Sequence, residues 1–117
     1  MHNIGCVSFL NSKPLIDPVL ARADVRVHFA VPAKLLGLIE AGTVSTALMS
    51  VVDYQTAGPD LVFLPVGMIG CDGPTLTVRI YSRVPAARIA ALHGDTDSHT
   101  SIILAQVIVS TLLALGR

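Results

Sequence analysis

Short apolar runs alternate along the chain with segments whose apolar residues recur at helical spacing. Ile4–Ser8 is a short apolar run and Val25–Ala30 alternates with several β-branched residues, so both segments predict strands. Pro14 and Pro32 stand where proline is tolerated, in the first turn of a helix, and Gly42 provides the stop for the second of these helices. The first part of the chain therefore predicts the order strand, helix, strand, helix.

The remainder predicts three more strands and two helical segments. Val44–Met49 and Leu61–Leu64 are apolar runs, and Pro74–Ser82 is a longer run with alternating Thr, Val and Ile. Pro85–Ala91 predicts a short helical turn. Ile102–Leu115 is ambiguous, because its Ile and Val content favours a strand while its length and the polar residues before it favour a helix. We predict a helix there.

Strands that alternate with helices over short connections predict an α/β fold with a largely parallel sheet. Such strands are buried on both faces, which agrees with a composition that is 52% hydrophobic and 14% charged. A mean hydropathy of +0.68 is nevertheless high for a domain of 117 residues. Either most strands are covered on both faces, or further chain covers part of the apolar surface.

Charge and cysteine content exclude several classes of function. Eight basic and eight acidic residues cancel, so the chain has no electrostatic footprint for nucleic acid or an anionic membrane. Cys6 and Cys71 lack metal-ligand spacing and are expected to be reduced thiols. The chain begins without the features of a secretory signal, and Ile102–Leu115 is shorter than the roughly 20 residues that cross a bilayer. We expect a cytoplasmic protein, and the sequence leaves its oligomeric state open.

Polar clusters lie at the ends of the predicted strands, where ligands bind in open α/β sheets. The same clusters also fit ordinary turns and helix caps. The last cluster suits a carboxylate or phosphate best, because hydroxyl groups there join the free N–H groups of a helix start. Asp95 and Asp97 would repel an anion and are expected to cap the helix or face solvent. The four clusters are Ser8–Lys13, Ser50–Tyr54, Cys71–Thr75 and Asp95–Ser101.

Known nucleotide-binding, zinc-protease and hydrolase motifs are absent from the sequence. The histidines are also isolated from one another. His28 lies within a predicted strand and is expected to be structural, whereas His93 and His99 are close in sequence but have no partner ligands. We therefore predict no metal site.

Four segments resemble, in order along the chain, the MqnA/MqnD family of menaquinone biosynthesis. "IGCVSFLNSKPL" (4–15) resembles the opening V-S-[YF]-L-N-[ST]-K-P-L of the chorismate dehydratase branch, and "TALMSVVDY" (46–54) resembles A-L-[IVM]-[PS]-[SV]-x-[ED]-Y. "IGCDGPTLTVRIYSRVP" (69–85) and "DTDSHTSIILAQVI" (95–108) are similar to two later motifs of the family. The Ser-Pro-Cys-Pro-Asn-Asp type of motif, typical of the branch that acts on a cyclic futalosine derivative, is absent.

The resemblance implies the fold of type II periplasmic binding proteins, in which two α/β lobes enclose a cleft. Family members are longer than this chain. By comparison, residues 1–84 are the N-terminal part of lobe one, and residues 85–117 cross the hinge and begin lobe two. The sheet would then be mostly parallel, flanked by helices and incomplete. Because a two-lobed cleft needs both lobes to close, we expect the 117-residue piece alone to be inactive.

The resemblance also implies an activity, the conversion of chorismate to 3-[(1-carboxyvinyl)oxy]benzoate in the futalosine pathway. This hydro-lyase would need no cofactor, and its partner would be the small-molecule substrate. The implied catalytic residues are Asn11 and Thr77, the latter at a position where the family usually has Ser. The implied substrate-binding residues are Ser12, Ser50, Gly73, Thr100 and Ser101.

The residues leave the general base and the presence of activity open. Asp72 adjoins a cleft motif but also fits a turn, so we hypothesise that the substrate's own enolpyruvyl carboxylate takes the proton. Lys13 either adds a positive charge for a carboxylate or is solvated. The alternatives to an enzyme are a non-catalytic cytosolic binding module for a small carboxylate and an inactive truncated remnant.

Overall fold

The computed structural model describes residues 1–75 and 77–115. Two single-turn 3-10 helices occur, at Leu10–Ser12 and Ala86–Arg88. The main elements follow one another as predicted for the first part of the chain, and the last apolar segment is a helix. In chain order they are β1 (His2–Cys6), α1 (Lys13–Leu20), β2 (Val25–Phe29), α2 (Pro32–Glu40), β3 (Thr46–Ala47), α3 (Val51–Tyr54) and α4 (His99–Leu115).

The three strands form one parallel sheet in the order β2-β1-β3. β1 pairs with β2 from His2 opposite Val25 to Cys6 opposite Phe29, and with β3 through only two residues. Parallel strands connected through helices confirm the α/β class. The likeness to type II periplasmic binding proteins and the division into two lobes stay predictions.

The core lies where α2 crosses β1. Leu35 of α2 is fully buried, and Cys6 and Val44 are nearly so. A Cβ atom built on Gly5 would lie 3.1 Å from the Cβ of Ala47 and 3.1 Å from Cδ2 of Leu35. Glycine in β1 therefore lets β3 and α2 approach the centre of the sheet closely.

Backbone signals in the sequence set the ends of α2. Pro32 occupies its first turn, where no N–H group is needed. Beyond its end, Gly42 adopts a φ of 67°, a conformation that suits glycine, and its N–H donates to the carbonyl of Ile39 at 2.8 Å. The predicted stop at Gly42 is confirmed.

An exposed ion pair closes the connection between α1 and β2. Arg22 donates from Nη2 to Oδ2 of Asp24 at 2.8 Å, and this hydrogen bond lowers the pKa of the Asp24 carboxyl group. A lowered pKa stabilises the fold above the ordinary titration range of the carboxyl group, and the stabilisation is lost as the pH falls. Because both side chains are exposed, the contribution is small.

Two of the predicted strands are wrong. Leu61–Leu64 is irregular, as are the described residues of Pro74–Ser82, of which Leu76 lies outside the described residues. β3 lies at one edge of the sheet and pairs over two residues only. It is therefore too short to pair with either of these segments along their length. Val62 and Phe63 have strand-forming side chains but remain 72% and 61% exposed, since strand propensity alone does not supply a pairing partner.

Much apolar surface remains exposed. The accessible surface is 8889 Å², whereas a folded monomer of 12.3 kDa exposes about 6,100 Å². The radius of gyration is 17.1 Å, against about 13 Å for a compact domain of this length. Exposed apolar side chains occur along residues 62–84 and on α4, where Leu104 and Val107 are examples. Among the described residues, no helix combines the length and the apolar character that spanning a membrane requires.

Replacing Leu35 by alanine tests the position of the core. We expect the free energy of unfolding to fall by about 2–5 kcal/mol, because the substitution leaves a cavity between α2 and β1. Leu104→Ala is the matched control, since Leu104 is 52% exposed on α4 and its loss should change stability little. Urea unfolding followed by circular dichroism measures both variants, and equal losses would place the core elsewhere.

Candidate functional site

A pair of hydroxyl groups joins the end of the sheet to the start of α4. Ser50 directly precedes α3, and its Oγ accepts a hydrogen bond from the N–H of Val52 at 3.2 Å. The same Oγ lies 2.5 Å from Oγ1 of Thr100, in the first turn of α4. Two of the predicted polar clusters, 50 residues apart in the chain, therefore meet.

The start of α4 carries several hydroxyl groups beside the N–H groups of its first turn. Ser98 precedes the helix; its Oγ accepts from the N–H of Ser101 at 3.4 Å and lies 2.9 Å from the Ser101 Oγ. Asp95 is exposed and accepts from the N–H of Asp97 at 2.9 Å, so its carboxylate closes a turn before the helix rather than capping α4 itself. A helix of 17 residues that starts in this way suits an anion at its N-terminus. We call Ser50, Thr100 and Ser101 the hydroxyl cluster.

Asp53 and His99 form a second contact between α3 and α4, which the sequence analysis missed. Nδ1 of His99 lies 2.6 Å from Oδ1 of Asp53. Asp53 is 4% exposed, whereas His99 is exposed. A carboxylate only accepts hydrogen bonds, so His99 donates from Nδ1. The one sequence signal is the spacing of Ser50 and Asp53, which puts both on the same face of α3.

The turn after β1 uses one of its predicted ligand groups internally. The Ser12 hydroxyl is buried and donates towards the carbonyls of Val7 at 2.8 Å and Phe9 at 2.7 Å. It therefore holds the turn in place, and the predicted substrate contact of Ser12 stays a prediction. Asn11 is exposed in the same turn. Lys13 pairs with Asp17 along α1 at 3.3 Å, so its charge is engaged on that helix.

The segment that carries Gly73 and Thr77 is irregular and exposed. Gly73 adopts a φ of 106°, which only glycine accepts without strain, and Thr75 closes the bend by donating from Oγ1 to the carbonyl of Val78 at 3.0 Å. Within residues 1–75 and 77–115, no hydrogen bond joins Asn11 or Thr77 to the hydroxyl cluster. Among the predicted residues, the structure thus brings Ser50 into contact with Thr100, and Ser101 follows in the same turn with its hydroxyl bonded to Ser98. The roles of all the predicted site residues, the catalytic roles of Asn11 and Thr77 included, stay predictions.

A shallow, open groove of about 380 Å³ runs beside the N-terminal half of α4. His99 contributes to this groove, so the ring that Asp53 holds borders an accessible surface. In the described part of the chain, no group of three or more potential metal ligands is present. The groove is lined by Gly94, Asp95, Thr96, His99, Ile102, Ile103 and Gln106.

Comparison with known proteins gives one family. The model of a family described as menaquinone biosynthesis matches residues 2–115, a range that includes every strand and helix named above. No significant match to a solved structure was found.

Removing the Thr100 hydroxyl tests whether the hydroxyl pair holds α4 in place. Thr100→Val preserves the side-chain shape but deletes the bond to Ser50, so we expect a loss of about 1 kcal/mol in the free energy of unfolding. Thr111→Val is the control, because that hydroxyl bonds only within α4, to the carbonyl of Val107 at 2.8 Å. Urea unfolding with amide hydrogen exchange at the start of α4 measures the effect. Unchanged amide exchange at the start of α4 in Thr100→Val would show that the hydroxyl pair does not hold α4 in place.

Proposed function

Because the chain belongs to the menaquinone-biosynthesis family, we propose that it is built for the chorismate dehydratase reaction of the futalosine pathway. This hydro-lyase converts chorismate to 3-[(1-carboxyvinyl)oxy]benzoate. The motifs shared with the chorismate dehydratase branch support this choice within the family. The structural observation that carries the proposal is the contact between Ser50 and Thr100, which places polar hydroxyls at the N-terminus of a long helix.

The proposed reaction is an elimination of water. The ring carbon that bears the ether loses a proton, the neighbouring carbon loses hydroxide, and the electron pair of the broken C–H bond completes the aromatic ring. No oxidant or reductant is needed, and aromatisation supplies the driving force. The protein has to bind two carboxylates, orient the ring and exclude water while charge develops.

The hydroxyl cluster can bind a carboxylate with neutral donors. If Ser50 donates to Thr100, the Thr100 hydroxyl keeps its proton for a ligand. The Ser50 oxygen still accepts from the N–H of Val52, so its own position is fixed. Together with the positive end of the α4 dipole, these donors favour an anion without burying a cation.

The base in the proposed reaction is the enolpyruvyl carboxylate of the substrate. Asp72, the acidic residue within the motif of residues 69–85, is exposed in a bend. An exposed carboxylate in a bend is poorly fixed for proton abstraction, which depends on orientation. In a full-length family member that retains this aspartate, Asp72→Asn should therefore leave turnover within about threefold of the parent protein, whereas loss of an essential general base costs about 10²–10⁴.

The exposed apolar surface supports the proposal that the active unit contains more polypeptide than these residues. In the two-lobed arrangement, residues 1–84 belong to lobe one and residues 85–117 begin lobe two. Further chain would cover α4 and give the irregular segment strands to pair with. The protein would act in the cytoplasm on a small molecule, without a nucleic-acid or membrane partner.

A second candidate is a non-catalytic module that binds a small carboxylate. It is favoured by the difference between the two halves of the predicted site. Ser50 and Thr100 of the hydroxyl cluster are joined by a hydrogen bond, whereas Gly73 and Thr77 lie in an exposed irregular segment. On its own, the chain is therefore better equipped to bind a carboxylate than to turn over chorismate.

Titration with chorismate, followed by the amide NMR signals of the chain, tests the proposal. We expect shifts at Thr100 and Ser101 with a Kd of about 1 mM, which corresponds to about 4 kcal/mol from a few donors. Thr100→Val should weaken binding and Thr111→Val should not. The chain alone should form no aromatic product, whereas a full-length family member with these residues should form it.

Three results would change this account. Absence of any shift at Thr100 and Ser101 would contradict chorismate binding at the cluster. Binding without turnover in the full-length protein would favour the non-catalytic module. Turnover by the chain alone would support the hydro-lyase activity and contradict the need for more polypeptide.

A further inference from the structure

The contact between Asp53 and His99 leaves the buried carboxylate of Asp53 only half satisfied. Asp53 is 4% exposed, and burying a carboxylate is unfavourable unless both oxygens are hydrogen-bonded. Oδ1 accepts from His99, but Oδ2 is buried without a hydrogen-bond partner among the described residues. An apolar side chain of similar size at position 53 would avoid this penalty. Stability therefore does not explain why the pair is present, and we ask instead how it orients α4.

The pair joins the same two helices as the bond between Ser50 and Thr100 does, since Ser50 caps α3 and Thr100 lies in α4. Ser50 and Asp53 are three residues apart, and Thr100 and His99 are neighbours in the first turn of α4. The two side-chain hydrogen bonds measure 2.5 and 2.6 Å. One such bond would leave α4 free to rotate about it, whereas two bonds fix both the position and the rotation of its first turn. This end of α4 is held by the two side-chain bonds and by the backbone N–H of Ala33, which donates to the carbonyl of Asp97 at 3.2 Å.

We propose that Asp53 and His99 are positioning residues that hold Thr100 and Ser101 in the orientation that binds the substrate carboxylate. This inference rests on the proposed function. His99 donates from Nδ1 to Asp53, and this hydrogen bond fixes the first residue of α4 next to α3. The hydroxyl of the next residue, Thr100, is then placed opposite Ser50. Loss of this hydrogen bond should make the first turn of α4 more mobile without unfolding the chain.

Asp53→Leu separates positioning from stability. Leucine has a similar size and removes the half-satisfied buried carboxylate, so we expect the free energy of unfolding to stay unchanged or to increase. The half-exposed His99 ring is left to water. Chorismate affinity should nevertheless fall about tenfold, as expected when a contact that aligns a binding group is lost. A merely structural role for Asp53 predicts the reverse pattern.

His99→Asn is the conservative variant, because the asparagine amide can donate from nearly the position of Nδ1. We expect chorismate affinity within about twofold of the parent chain, since the donor is retained. His93→Ala is the matched control: it removes an exposed histidine six residues earlier and should leave affinity unchanged.

Two measurements on each variant keep this inference distinct from the proposed function. The first is the NMR titration with chorismate, and the second is amide hydrogen exchange at Ser101 and Ile102, which donate to Ser98 at 3.4 Å. Asp53→Leu should raise exchange at both amides about tenfold through local opening. His99→Asn should not raise it.

If the parent chain does not respond to chorismate, the proposed function fails, and the exchange data alone decide whether the pair positions α4. The inference is overturned if Asp53→Leu leaves exchange at Ser101 and Ile102 unchanged. It is also overturned if Asp53→Leu binds chorismate as the parent does, or if His99→Asn loses affinity as severely as Asp53→Leu.

Discussion

Two side-chain hydrogen bonds, Ser50 to Thr100 and Asp53 to His99, join a short helix at the end of the sheet to the first turn of α4. They bring the hydroxyl of Ser50, which precedes α3, next to the hydroxyl of Thr100 in α4. Their geometry in turn depends on the sheet, because Ser50 follows β3 by three residues and β3 sets its position. β3 is held next to β1 by the close approach at Gly5. The site is thus connected to the core through a short series of specific contacts.

The sequence predicted helix ends and helix starts correctly where neighbouring residues determine them. Pro32 and Gly42 set the limits of α2, and the polar residues before Ile102 indicated a helix rather than a strand. Residues 61–64 and 74–82 were misassigned because their strand propensity is satisfied only when another strand pairs with them. Propensity describes the side chains of one segment, whereas a ladder requires a second segment at a defined distance.

The site was predictable only in part for the same reason. Ser50, Thr100 and Ser101 lie in polar clusters that the sequence pattern singled out, and the family resemblance implied their substrate-binding role. The structure brings Ser50 and Thr100 into contact. The pairing of Asp53 with His99 spans 46 residues and has no local pattern that announces it. Ser12 shows the opposite case, since a hydroxyl beside a predicted ligand turn is used by the turn itself. Membership of the menaquinone-biosynthesis family supplies the pathway, while these contacts supply the reason to expect a carboxylate at the start of α4.

The most direct test of this account is a crystal structure of the protein with chorismate bound. The account predicts a substrate carboxylate oxygen about 2.7–3.0 Å from the Thr100 hydroxyl and from an N–H group of the first turn of α4. Asp53 and His99 should remain in contact in that complex. Chorismate bound at another surface, with the Thr100 hydroxyl directed away from it, would contradict the account.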